Sequence, residues 1–130
     1  MNENISNLFN RIETRLIESF VIIDYQIIRR EISPDDGKLR IKSSLAGNGL
    51  FECFLYVKES GGFLSPIRYS FHWQDAAGKL VRRWDNSPHH LELVFAPNHL
   101  HLGVDQVEGF SGNPDIFRFI EELEIALTGK

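Results

Sequence analysis

Residues 71–90 read Phe71-His72-Trp73-Gln74-Asp75-Ala76-Ala77-Gly78-Lys79-Leu80-Val81-Arg82-Arg83-Trp84-Asp85-Asn86-Ser87-Pro88-His89-His90. Just before and into this stretch, Tyr69, Phe71 and Trp73 alternate with Arg68, Ser70, His72 and Gln74, the period of a strand with one apolar and one polar face. Asp75-Ala76-Ala77-Gly78 supplies a reversal, so the stretch predicts an antiparallel hairpin. Two pairings are open. A two-residue loop sets Tyr69 opposite Trp84 and Trp73 opposite Leu80. A type I turn with a glycine bulge shifts the return strand by one and sets His72 opposite Arg82. Either way an arginine is expected on the strand beside His72, sharing its face as Arg83 in the first pairing and directly across as Arg82 in the second, with Arg82 and Arg83 serving one polar patch.

Working outward, Ile5, Leu8, Phe9, Ile12 and Leu16 fall on one helical stripe, with Arg11, Glu13, Arg15 and Glu18 opposite, which predicts a helix over about 4–18. Residues 20–32, rich in Val, Ile and Tyr, predict a strand, and Pro34-Asp35-Asp36-Gly37 turns the chain back. Leu39-Arg40-Ile41-Lys42 alternates as a strand with one wet face, Gly47-Asn48-Gly49 is a turn, and 50–58 is a nearly continuous apolar strand. Gly61-Gly62 breaks that strand and Pro66 begins the hairpin. Beyond it, Leu91–Phe95 predicts another strand, and His99-Leu100-His101 puts two imidazoles on one side if extended. Asn113-Pro114-Asp115 starts a final helix whose buried stripe is Ile116, Phe119, Ile120, Leu123 and Leu127, ending at Gly129. Short connections make the strands neighbours in a meander. The expected fold class is therefore α+β: one domain, 1–130, with an antiparallel sheet of about five to six strands covered by N-terminal and C-terminal helices.

Composition agrees with a single folded domain: 42% hydrophobic and 25% charged residues are ordinary for a globular chain and too apolar for a disordered one. The net charge of −4 excludes a generally basic nucleic-acid binder, yet residues 66–90 carry Arg68, Lys79, Arg82 and Arg83 against only Asp75 and Asp85. A basic island on an acidic body attracts phosphate-bearing ligands. Cys53, the single cysteine, cannot form an intramolecular disulfide and alternates with Phe54 and Tyr56, so it is read as core in a reducing, cytoplasmic setting. No leader segment and no membrane-spanning run is expected.

The polar groups of the hairpin admit three chemistries. Histidines 89, 90, 99 and 101, with Asp85 or Asp105, suggest a metal, but the spacing shows no complete ligand set, so no metal and no cofactor is expected. The imidazoles would alternatively hydrogen-bond loop backbone. The third chemistry is acid–base: imidazole titrates near neutral pH and arginine stabilises phosphate, a pairing sufficient for metal-free RNA cleavage.

The run from Tyr69 to His90 resembles the TumE-like family of prokaryotic toxin–antitoxin proteins. That family carries a Tyr-x-(Tyr/Phe)-His-Trp-Gln-Asp block, a Gly turn, a basic pair, and an aromatic-Asp-Asn-x-Pro-His-His block. A second His-bearing block is matched by Pro97-Asn98-His99-Leu100-His101. This chain differs in having Leu91 after the His pair, where Pro is frequent, and Asn98 where a histidine is expected. The resemblance implies a toxin with a cognate antitoxin protein as partner. On this reading RNA is the expected target, His72, His89, His90 and Asp85 are the catalytic candidates, and Arg82 and Arg83 hold phosphate. Trp73 or Trp84 stacks a base, and Gln74, Asp75 and Asn86 orient the rest. A homodimer is compatible with it. The alternative is a non-enzymatic module that binds a partner protein or a phosphate-bearing ligand through the same groups.

Overall fold

The computed structural model describes residues 2–87, 97–103, 106–109 and 115–129. Helix α1 (Glu3–Glu18) is followed by strands β1 (Ile22–Ile32), β2 (Asp36–Leu45), β3 (Leu50–Ser60), β4 (Phe63–Gln74), β5 (Leu80–Asp85), β6 (His99–Leu102) and β7 (Gln106–Gly109), and then by helix α2 (Ile116–Thr128). Among the described residues the strands form one antiparallel sheet in the order β1-β2-β3-β4-β5-β6-β7, the α+β meander expected, with seven strands rather than five or six. The predicted strand over Leu91–Phe95 lies outside the described residues.

Both helices lie on one face of the sheet, and each follows from its sequence. In α1 the Asn2 side chain accepts the Ile5 N–H as an N-cap, and Ile5, Phe9, Ile12 and Leu16 are buried. In α2 the cap is Asp115, which accepts from Phe117 N, and Gly129 ends the helix in the left-handed region at φ 73°. The described helix starts after Asp115, whose carboxylate reaches a free N–H group of its first turn, and the expected cap and first helical residue, Asn113 and Pro114, lie outside the described residues. Leu127, expected in the buried stripe, is exposed one turn past Leu123.

Between helices and sheet lies one core: Leu39, Ile41, Phe51, Cys53, Leu55, Tyr69, Phe71, Trp73 and Trp84 from the strands meet the helix stripes. Phe119 is its centre, with ring centroids 5.1 Å from Phe51 and 5.1 Å from Trp84, the latter edge-on. Arg15 on α1 forks onto Glu124 on α2 (3.0 Å for one branch), tying the two helices together. The helix layer is so close that a Cβ on Gly37 would stand 2.5 Å from Ile5 Cγ2.

The other face of the sheet carries no helix among the described residues and is free to be polar. Pro66, expected to begin the hairpin, lies inside β4. It sits beside a bulge in which Ile67 is the extra residue between the pairs Tyr56↔Arg68 and Val57↔Pro66. A bulge is where a sheet tolerates proline, since no ladder donor is needed there.

Candidate functional site

The hairpin begins as the glycine-bulge pairing predicts. Gly78 N–H donates to Asp75 O (2.9 Å), Asp75 N–H to Lys79 O (2.9 Å), and Gly78 has φ 82°. Gln74 then pairs with Leu80. A second bulge follows. Val81 is extra, so Trp73 pairs with Arg82, His72 with Arg83, Phe71 with Trp84 and Ser70 with Asp85, one step beyond the bulge register and two beyond the two-residue loop. The reason lies in packing: this register puts Trp84 beside Phe71 on the helix face, where both bury against Phe119.

The register also divides the arginine pair. Arg82 shares the helix face with Trp73 and Trp84, and its Nη1 donates to Glu122 on α2 at 3.1 Å. Arg83 lies on the open face. The expectation that both serve one patch is corrected accordingly, since adjacent strand residues point to opposite sides. The two tryptophans, expected to stack a base, are 8% and 9% exposed and belong to the core.

On the open face, one row of cross-strand neighbours runs Lys42↔Glu52↔His72↔Arg83↔His101. The next row runs Arg40↔Phe54↔Ser70↔Asp85↔His99. Over the β2–β5 part of these rows lies a cavity of about 370 Å³ lined by Arg40, Glu52, Phe54, Arg68, His72 and Arg83, among others. Arg83 Nη1 lies 3.3 Å from His72 Nδ1, and His72 Nε2 lies 3.0 Å from Gln74 Oε1. A guanidinium only donates, so Nδ1 accepts and the ring proton lies on Nε2, toward Gln74. Arg40 donates to Glu52 Oε2 (2.9 Å) and covers the Phe54 ring at 4.5 Å.

Asp85 anchors this arrangement. It is 3% exposed, its Oδ2 accepts from Arg83 Nε (2.8 Å), and its Oδ1 accepts from Ser87 N–H (2.9 Å). His99 Nε2 lies 2.8 Å from Oδ1, and His101 Nε2 lies 3.8 Å from Oδ2. Burial pushes the Asp85 carboxyl up, but the Arg83 hydrogen bond, the Ser87 N–H and the neighbouring His99 outweigh it and hold the group below its ordinary range. Asp85 thus fixes Arg83 rather than facing the cavity.

The remaining predicted residues have defined places. Asp75 Oδ1 accepts from Ala77 N and Lys79 N and holds the turn. Asn86 Oδ1 accepts from Tyr69 N while its Nδ2 donates to Ile67 O, fastening the end of β5 to the β4 bulge. Tyr69, whose phenol burial pushes up, donates to Asn98 Oδ1 at 2.7 Å. His89 and His90 lie outside the described residues. Of the predicted set, the structure brings His72, Gln74 and Arg83 together at the cavity with Asp85 behind them; Arg82, Trp73 and Trp84 face away. Arg40, Glu52 and Phe54 were missed. Their signal was the wet-face alternation of the strands preceding the hairpin, which the Arg40 and Lys42 positions already display.

No helix among the described residues is long and apolar enough to cross a membrane. No curated protein and no solved structure matches the chain. The family model described as toxin TumE matches residues 9–127, so it takes in α1 from Phe9, the whole hairpin with its open-face polar rows, and α2. With nearly the full length matched, the chain belongs to the TumE family of toxins.

Proposed function

We propose that this toxin, whose family membership implies an antitoxin partner, acts on RNA at the open-face cavity by acid–base chemistry. The observation that carries this reading is the His72 imidazole held between Gln74 and Arg83 in a cavity also lined by Arg40 and Arg68. Three guanidinium groups match a phosphodiester and its neighbours. When Arg83 Nη1 turns to a phosphate oxygen, it releases His72 Nδ1, which accepts the proton of the 2′-hydroxyl. That oxygen attacks phosphorus and the P–O5′ bond breaks. A second group protonates the departing 5′-oxygen, and His89 and His90 are the candidates. Phe54 takes the base-stacking role first given to the tryptophans, and Asp85 holds Arg83 in position. No metal enters these steps.

A second reading has its own support: both His72 nitrogens are engaged by neighbours, which suits a phosphate-binding module without turnover. Production of the chain in a related host without its antitoxin, beside His72→Ala at equal abundance, separates the two. Arrest by the unmodified chain, loss of arrest with His72→Ala, and RNA cleavage by the purified protein support the enzyme. Full toxicity of a folded His72→Ala protein removes His72 from the mechanism.

A further inference from the structure

The metal reading of the sequence lacked one thing, a fold that brings an aspartate to His99 and His101. The register supplies it, because Asp85 on β5 pairs directly with His99 on β6 and Arg83 pairs with His101. One donor atom from each of Asp85, His99 and His101 lies within 4.8 Å of the others. We propose that these three residues bind one divalent first-row transition ion.

Three features support a built site. First, Asp85 and His99 are 3% and 1% exposed, so the donors are desolvated before any ion arrives. Second, His99 Nδ1 lies 2.8 Å from the Pro97 carbonyl oxygen, which only accepts. Nδ1 therefore carries a proton, and the ring presents Nε2 to Asp85, the backing by which proteins orient a ligating histidine. The 2.8 Å between Nε2 and Oδ1 must then hold either a proton or a cation. Third, Arg83 Nε–H binds Oδ2 and Ser87 N–H binds Oδ1, so the carboxylate is itself oriented from outside.

The spacing is also compatible with one kind of coordination. With metal–ligand bonds of about 2.0–2.1 Å, a 2.8 Å separation of Nε2 and Oδ1 subtends about 85° at the ion. That is near the right angle of a six-coordinate site and well short of tetrahedral. Two imidazoles and one carboxylate suit Mn²⁺, Fe²⁺, Co²⁺ or Ni²⁺ in that geometry. His101, 22% exposed at its side chain, is the more accessible of the two imidazoles. The ion would hold the β5–β6 junction and, through Asp85, the base of Arg83. This inference does not rest on RNA as target.

The test is calorimetric titration of tag-free full-length protein with Co²⁺, after chelator treatment, alongside thermal melts with and without the ion. Binding of one equivalent per chain is expected, with Tm rising by about 5–10 °C at roughly a hundredfold excess over Kd. His101→Ala, at the partly exposed position, should stay folded and bind at least 10-fold more weakly; His99→Gln and Asp85→Asn should also bind at least 10-fold more weakly, at a cost in stability that the melts read separately. His72→Ala should bind as the unmodified chain does. Absence of saturable binding, or unchanged affinity in folded His101→Ala, overturns the proposal and leaves a proton between His99 and Asp85. Either result leaves the growth-arrest test of His72 standing.

Discussion

Replacing Arg83 by alanine removes two contacts of known geometry: the Nε–H bond to Asp85 Oδ2 at 2.8 Å and the Nη1 contact with His72 Nδ1 at 3.3 Å. The first matters for folding, because Asp85 is buried and loses a charged donor. It keeps Ser87 N–H and His99 Nε2, and Arg83 itself is 36% exposed, which screens the pair. The stability cost is therefore about 1–2 kcal/mol, from a total of roughly 5–15 kcal/mol for such a domain. On the proposed mechanism the cost in rate is larger. A missing phosphate donor raises the barrier by about 2.7–4 kcal/mol, a loss of about 10²–10³-fold. Arg82→Ala is the control. Its ion pair with Glu122 is 3.1 Å long and about one-third exposed on both sides, worth about 0.2–1 kcal/mol, and it lies on the helix face. Urea melts and growth arrest at matched abundance should thus show Arg83→Ala folded and non-toxic, and Arg82→Ala folded and toxic. Arg83→Lys should keep part of the effect, since an ammonium cannot hold Asp85 and His72 with one planar fork. Loss of toxicity in Arg82→Ala with toxicity intact in Arg83→Ala would refute the assignment of the open face.

Trp73, 8% exposed in the core, should cost about 3–5 kcal/mol on substitution by alanine, while His72→Ala costs much less; paired denaturant melts check this, and the reverse order would make His72 a structural residue. Cys53 is fully buried and burial pushes its thiol up to about 12, so iodoacetamide at pH 8 should label the protein only after unfolding, and native labelling would contradict the core placement. Glu124, held below the ordinary carboxylate range chiefly by its Arg15 hydrogen bond, contributes stability that is present above its unfolded pKa and lost as pH falls through the lowered one. Glu124→Gln should accordingly lose less stability between pH 7 and pH 3 than the unmodified chain, as read from melts at the two values.

What was legible in the sequence was whatever local chemistry decides. The stripe of Ile5, Phe9, Ile12 and Leu16 names α1 because only a helix buries that spacing, and the turn over Asp75–Gly78 names its own type through the Asp side chain and the left-handed glycine. The bulge at Val81 has no such signature. It is selected by Trp84 reaching Phe119, a residue 35 positions later, and it alone decides which arginine faces His72. The short strands β6 and β7 were hidden for a related reason: four residues each give too little period to read, and only pairing to β5 makes His99–Leu102 a strand. Arg40 and Phe54 entered the cavity through the pairings of β2 with β3 and β3 with β4, contacts between segments the hairpin motif does not contain.

Because both helices cover the same side of the sheet, the chain separates two tasks by face. Residues such as Trp73, Trp84 and Phe71 fill the side that holds the domain together, and His72, Gln74 and Arg83 occupy the side where a polar group keeps contact with water and costs the core nothing. Substitutions should therefore divide cleanly, helix-face changes acting on stability and open-face changes on function. The division breaks at the β5–β6 junction. Asp85 and His99 lie on the open-face row yet are buried, and each has its polar atoms committed: Asp85 to Arg83, Ser87 and His99, and His99 to Asp85 and Pro97. A buried carboxylate with that many partners is costly to disturb, so it holds Arg83 more rigidly than an exposed ion pair would. The rigidity of the cavity is thus supplied by a cluster on that face that also contributes to folding, which is why the candidate ion site and the candidate catalytic site meet at Asp85.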